Sequence, residues 1–219
     1  LNHSDTNTAI SLMVCYTGSF VARADLTLIA VFVSLWLSQA ARNQGMDGAE
    51  AAKQTGIMIL VIQSSSLLWA PVAGILIDRF HRLLCVCGAL ALAGSGYFML
   101  GLQENPFTPL GYSFAVLVGI GQMSVILTVT ALIGQETPIN VRGSVISFAG
   151  LCGAVGILVT SFLGGFLFDH WMISGPVVFT GLANLAVLGL AIRVWLRDGR
   201  PVRFDPSEAR SGQALDFGH

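Results

Sequence analysis

Charge is the scarcest property of this sequence. Only 11% of the 219 residues are Asp, Glu, Lys or Arg, against about 25% in an ordinary soluble domain. That excludes a water-facing surface wrapped around a single core. No charged residue occurs in 54–77, 83–103, 105–135, 143–168 or 170–192. Cysteine is sparse as well: Cys15, Cys85, Cys87 and Cys152 fall in apolar stretches, where they behave as small hydrophobes and not as a disulfide framework. Cys85-x-Cys87 lacks nearby His or acid ligands, so no metal is expected. The histidines, His3, His81, His170 and His219, lie outside the interiors of the apolar runs. No H-E-x-x-H zinc site, G-x-G-D pair or nucleophile–base motif is present, which argues against a membrane enzyme. No Walker loop is present either, so no cofactor is expected and the chain does not itself hydrolyse ATP. There is no basic patch for nucleic acid.

What the sequence has is long apolar runs. Hydrophobic residues make up 54% of the chain. Each charge-free window reaches the ~20 residues that carry a helix across ~30 Å of hydrocarbon. A further candidate, about 10–41, is apolar apart from Arg23 and Asp25. The spacing predicts an all-α membrane protein with helices at about 10–41, 55–77, 83–103, 110–134, 143–168 and 174–196. Residues 1–9 form a short leading segment and 197–219 a polar tail rich in Pro, Gly and charge, expected to be disordered and cytoplasmic. With the N-terminus inside, the inner turns and tail hold Arg79, Arg82, Arg142, Arg193, Arg197, Arg200, Arg203 and Arg210, and the outer turns only Arg42 and Lys53. That asymmetry places both ends of the segment in the cytoplasm. The chain opens on Leu and has no charged leader with a cleavage site, so it reads as the downstream part of a longer protein.

An internal repeat lies in the helix ends. Gly74-Ile75-Leu76-Ile77-Asp78-Arg79-Phe80 and Gly165-Phe166-Leu167-Phe168-Asp169-His170-Trp171 share a glycine, a leucine, an aspartate, a basic residue and an aromatic in the same order. Each closes the second helix of a set of three. A repeat offset by three helices must invert in the membrane, as in many secondary transporters.

The turn Gly74-x-x-x-Asp78-Arg79-x-x-Arg82 and the turn Pro138-x-x-x-Arg142-Gly143 are the motifs on which the chain resembles the C-terminal six-helix half of a major facilitator superfamily transporter. His81 stands where that family usually has a second glycine. The resemblance implies two inverted three-helix repeats and a partner N-terminal half of the same protein. It further implies alternating-access transport of a small molecule, driven by protons, with drug or metabolite efflux ahead of organic-anion uptake. A non-transporting receptor or scaffold on the same fold is the competing class. The implied setting is the lipid bilayer of a bacterial inner membrane. In the family, Gly74, Asp78, Arg79, Arg82 and Arg142 would form a conformational latch at the cytoplasmic face; as plain residues they are equally topology anchors. Gly74 would let a neighbouring helix approach closely.

Inside the membrane, Arg23 and Asp25 each cost ~2.5–3.5 kcal/mol at a helix centre, so each needs a cavity or a partner. They point in nearly opposite directions. Arg23 shares a polar stripe with Tyr16, Ser19, Thr27, Ser34 and Ser38 and is expected to face the pathway. Asp25 shares its face with Ile29, Phe32 and Trp36 and is the expected proton-coupling residue, against a neighbouring helix or a buried cation. Alternatively the first helix begins near Ala24, with 1–22 at the interface and Arg23 among headgroups. The other pathway candidates are Trp36, whose ring could stack on a flat substrate, and Gln63, Gln122, Ser124 and Thr128, whose amides and hydroxyls serve either substrate or interhelical hydrogen bonds. Asn184 reads as structural, because the sixth helix is peripheral in the family.

Overall fold

The computed structural model describes the backbone of residues 3–80, 82–136 and 142–198, and side chains within 15–80, 84–134 and 142–193. His81, Pro138, the side chains of Arg82, Gln135 and Trp195, and the tail beyond Asp198 lie outside the described residues.

The elements are α1 (His3–Thr27), a π-helical segment (Leu28–Val33), α2 (Ser34–Asn43), α3 (Gly48–Arg79), α4 (Arg82–Gly101), α5 (Pro109–Glu136), α6 (Arg142–His170) and α7 (Gly175–Asp198). Helix α1, the π segment and α2 run on as one rod, the first span. The rod does not start near Ala24, since helix extends back to His3. Among the described residues six helices are long and apolar enough to cross a membrane. Six is the number expected from the five charge-free windows and the 10–41 segment.

Polar residues close the turns on the side where the first span ends. Gly45 takes φ +82°, a conformation open to glycine, and stops the rod. Asp47 caps α3 by accepting the Glu50 N–H at 2.7 Å. Asn105 Oδ1 accepts from both the Phe107 N–H and Gln44 Nε2 at 2.9 Å, tying the α2–α3 and α4–α5 turns together.

Packing follows an exchange rule. The first span packs on α6, and α5 packs on α3; the third-position helices α4 and α7 pack on each other, and the first span packs on α5. Swapping the first span with α5, α3 with α6 and α4 with α7 returns the same pairs. Because the swap moves each helix by three places, it reverses direction across the membrane. This is the fold expected from the repeated helix ends: two inverted three-helix repeats.

Small residues let these pairs close. A Cβ at Gly156 or Gly164 of α6 would run into Phe20 or Phe32 of the first span. One at Gly181 would come within 2.7 Å of the Phe98 backbone of α4. Gly74 and Gly165, the paired glycines of the repeat, meet nothing within 4 Å. The close approach expected at Gly74 is therefore not made to any described part of this chain. The helices carrying those two glycines are also the least covered: 11% of the apolar window of α3 and 22% of that of α6 are buried, against 44–56% for the other four.

Candidate functional site

Four places hold the residues that the sequence singled out. The first lies along α7, which packs on both α1 and α4. Asp25 is 0% exposed, and its Oδ1 accepts a hydrogen bond from Asn184 Nδ2 of α7 at 3.0 Å. The same amide nitrogen donates to the Thr180 carbonyl one turn back, at 3.1 Å, which fixes its direction. Asp25 Oδ2, Asn184 Oδ1 and the hydroxyl of Tyr97 on α4 are buried with no partner. Tyr97 and Asn184 are also 0% exposed. Asn184 sits midway between Gly175 and Arg193, the ends of its apolar span, so the carboxylate lies near the centre of the membrane. The helices can approach this closely because Gly94, Gly101 and Gly181 line the α4–α7 contact.

Arg23 goes the other way. Its aliphatic stem rests on Gly153 of α6, where a Cβ would come within 2.6 Å of it, and the residue as a whole is exposed. Thr27, one turn on, donates to the Arg23 carbonyl at 3.2 Å. Gln63 on α3 is likewise exposed. Arg23 and Gln63 are thus both exposed, while Asp25 is sealed within the chain.

The third place is the α3–α5 contact. Trp69 Nε1 donates to Ser124 Oγ at 2.8 Å, and Ser124 donates to the Ile120 carbonyl at 2.8 Å. Thr128 Oγ1 donates to the Ser124 carbonyl at 2.7 Å. Ser66 Oγ donates to the Gly119 carbonyl at 2.7 Å. These hydroxyls are satisfied by helix backbone and, at Ser124, by the Trp69 indole as well. Gln122, Ser124 and Thr128 are buried, as is Trp36. A cleft of about 190 Å³ opens beside Trp69, Ser124 and Thr128, with Cys85 and Leu76 on its other walls.

The fourth place is the charged turn. Asp78 and Arg79 are exposed at the end of α3, and Phe80 accompanies them. Arg142 opens α6, its guanidinium 3.0 Å from the position that a Cβ would take at Gly134.

Sequence reasoning missed the partners of Asp25. Asn184 is the one side-chain amide in the charge-free window 170–192, and Tyr97 is the one phenol in 83–103. Each was a signal that a buried polar group there would want company.

Comparison with known proteins fixes the family. The sequence model of the Major Facilitator Superfamily matches residues 15–216. The chain belongs to this superfamily. Magnetosome protein MamH of Paramagnetospirillum magneticum is 30% identical over 203 residues, covering 93% of this chain and 47% of MamH. The multi-drug resistance efflux pump PmrA of Streptococcus pneumoniae is 24% identical over 209 residues, covering 91% of this chain and 48% of PmrA. Among solved structures, the inward-open xylose transporter XylE from E. coli superposes with a TM-score of 0.72 at 14% identity, covering 94% of this chain and 56% of XylE. That likeness shows the fold. The chain spans about half the length of these superfamily relatives. The superfamily comprises transporters and not enzymes.

Proposed function

We propose that this chain is the C-terminal half of a transporter that moves a small solute by alternating access, coupled to protons through Asp25. The observation that carries the coupling is the carboxyl of Asp25, sealed at mid-membrane with one oxygen held by Asn184 and the other unpartnered. An ionised carboxylate in hydrocarbon without a cation costs several kcal/mol, so a proton is its natural occupant. The N-terminal half, in this reading, covers the open faces of α3 and α6, and the solute passes Arg23, Thr27 and Gln63. Gly74, Asp78, Arg79, Arg82 and Arg142 latch the cytoplasmic face in one state and release it in the other. The setting is a bacterial inner membrane with both ends of the segment inside, as the arginine asymmetry supports.

Efflux is the favoured direction, on the likeness to a multi-drug resistance pump. The test is transport of ethidium by the full-length protein in vesicles carrying an imposed pH gradient. Flux should follow the gradient in the wild type and lose that dependence in Asp25→Asn. Unchanged pH dependence in that variant would move the coupling site into the other half.

Exposed Arg23 favours a second reading, capture of an organic anion. Inhibition of ethidium flux by a series of carboxylates, abolished in Arg23→Gln, would support it. The likeness to a magnetosome protein adds a question of place, answered by locating the tagged full-length protein in the cell.

A further inference from the structure

The partners of Asp25 divide its two oxygens between different tasks. Asn184 Nδ2 is saturated by two acceptors, Asp25 Oδ1 and the Thr180 carbonyl. Turning the amide over would aim its oxygen at both of them, so the nitrogen side is locked toward the carboxylate. Oδ1 is therefore occupied by a donor in the ionised and protonated states alike. Oδ2 has no donor, and the buried hydroxyl of Tyr97 and the amide oxygen Oδ1 of Asn184 are also unpartnered. Tyr97 adjoins Phe98, whose backbone lies 2.7 Å from the position a Cβ would take at Gly181, one turn before Asn184 on α7.

We infer that Asn184 and Tyr97 are positioning residues which direct the transported proton to Oδ2 of Asp25. The amide of α7 holds the other oxygen, and the phenol of α4 stands by the loaded site. This rests on the proton-coupling role proposed for Asp25 above. A proton arriving at Oδ2 converts an acceptor into a donor, and both Tyr97 Oη and Asn184 Oδ1 are free to accept from it. Three helices then answer to one protonation event, α1 through the carboxyl, α4 through the phenol and α7 through the amide.

The electrostatic surroundings are sparse. Helix α4, packed on α7, offers Tyr97, with Cys87 nearly three turns away. Among the described side chains of α7 the titratable group is Arg193, exposed and nine residues beyond Asn184. Neither α5 nor α6 places a charged side chain here among the described residues, and Arg23 turns toward Gly153.

The test needs no substrate. Infrared difference spectra of purified full-length protein, titrated with pH, report the carbonyl stretch of a buried protonated carboxyl. Loss of that band in Asp25→Asn assigns it. Asn184→Leu removes the donor to the carboxylate at similar volume, which should move the titration midpoint to the alkaline side by about one pH unit. Tyr97→Phe removes one hydroxyl and should shift the frequency of the band, because the partner of the loaded proton is gone. Asn184→Ser provides a milder second variant if the leucine impairs folding. If Asp25→Asn removes the band while Asn184→Leu, Asn184→Ser and Tyr97→Phe all titrate as wild type, the positioning roles are overturned and the coupling role survives. A titrating band that persists unchanged in Asp25→Asn, or no titrating band in the wild type, overturns both.

Discussion

Trp69 of α3 gives its indole N–H to Ser124 of α5 at 2.8 Å, and Ser124 gives its own proton to the Ile120 carbonyl at 2.8 Å. The chain of bonds ties the second helix of one repeat to the first helix of the other. It also accounts for a tryptophan in the middle of a membrane helix, away from the interface where the side chain is usually found.

Replacing Trp69 with Phe keeps a ring in the cleft and removes only the donor. Ser124 stays satisfied through Ile120, so the change should cost about 1 kcal/mol. Thermal unfolding of the full-length protein in detergent should register a drop of about 2 °C. A loss many times larger would mean that the indole also carries packing which a phenyl ring cannot replace.

Gly156 meets the Phe20 carbonyl of the first span directly, backbone against backbone. A side chain there has no flexible neighbour to displace. Gly156→Val should destabilise by about 1–3 kcal/mol, the usual range for overpacking. Gly165→Val, at a position with nothing within 4 Å, should be silent in the isolated chain. In the full-length protein Gly165→Val should interfere only if another helix covers that face, so the pair of variants tests the N-terminal half proposed above.

Arg23 rests on Gly153 but is otherwise exposed. Arg23→Ala should leave melting nearly unchanged and reduce transport at least about tenfold, equivalent to ~1.4 kcal/mol of transition-state stabilisation. Normal flux in a normally expressed Arg23→Ala would remove the guanidinium from the pathway.

Asp78 lies exposed at the end of α3 beside Arg79. Asp78→Asn keeps the shape and deletes the charge. Insertion and expression should be normal, and transport should slow by about tenfold if the turn works as a latch. Full activity in that variant would reduce Asp78 to an anchor.

Much of the fold was legible because hydrocarbon leaves a helix no alternative for its backbone groups. Charge-free length therefore marked five of the spans, the first stood out as apolar but for Arg23 and Asp25, and the matching ends at Gly74 and Gly165 pointed to the repeat. The opposite bearings of Arg23 and Asp25 were also readable, since two helical residues that close in sequence cannot share a face. What escaped was partnership. Asn184 lies 159 residues from Asp25, and no local pattern announces a contact across that distance. The roles of Ser124 and Thr128 escaped for a different reason: a serine or threonine that turns back on its own helix looks the same in sequence as one that faces a solute.

One feature of the first span changes how its faces are counted. On an unbroken α-helix, Asp25 and Phe32, seven residues apart, point almost the same way. Here Asp25 meets Asn184 of α7, whereas Phe32 packs over Gly164 of α6. The wide turn at Leu28–Val33 accommodates an extra residue and so turns everything beyond it by ~100° relative to an ordinary helix. The rod therefore has two azimuths, one below the wide turn and one above. Deleting a single residue between Leu28 and Val33 would restore one phase along its whole length. Trp36 and Leu37 would then keep their buried bearings, as would Asp25, because the wide turn already absorbs the extra residue. Coordinates along this helix must be read as two separate dials, and a substitution on one side of the wide turn cannot be mapped to a face by counting from the other.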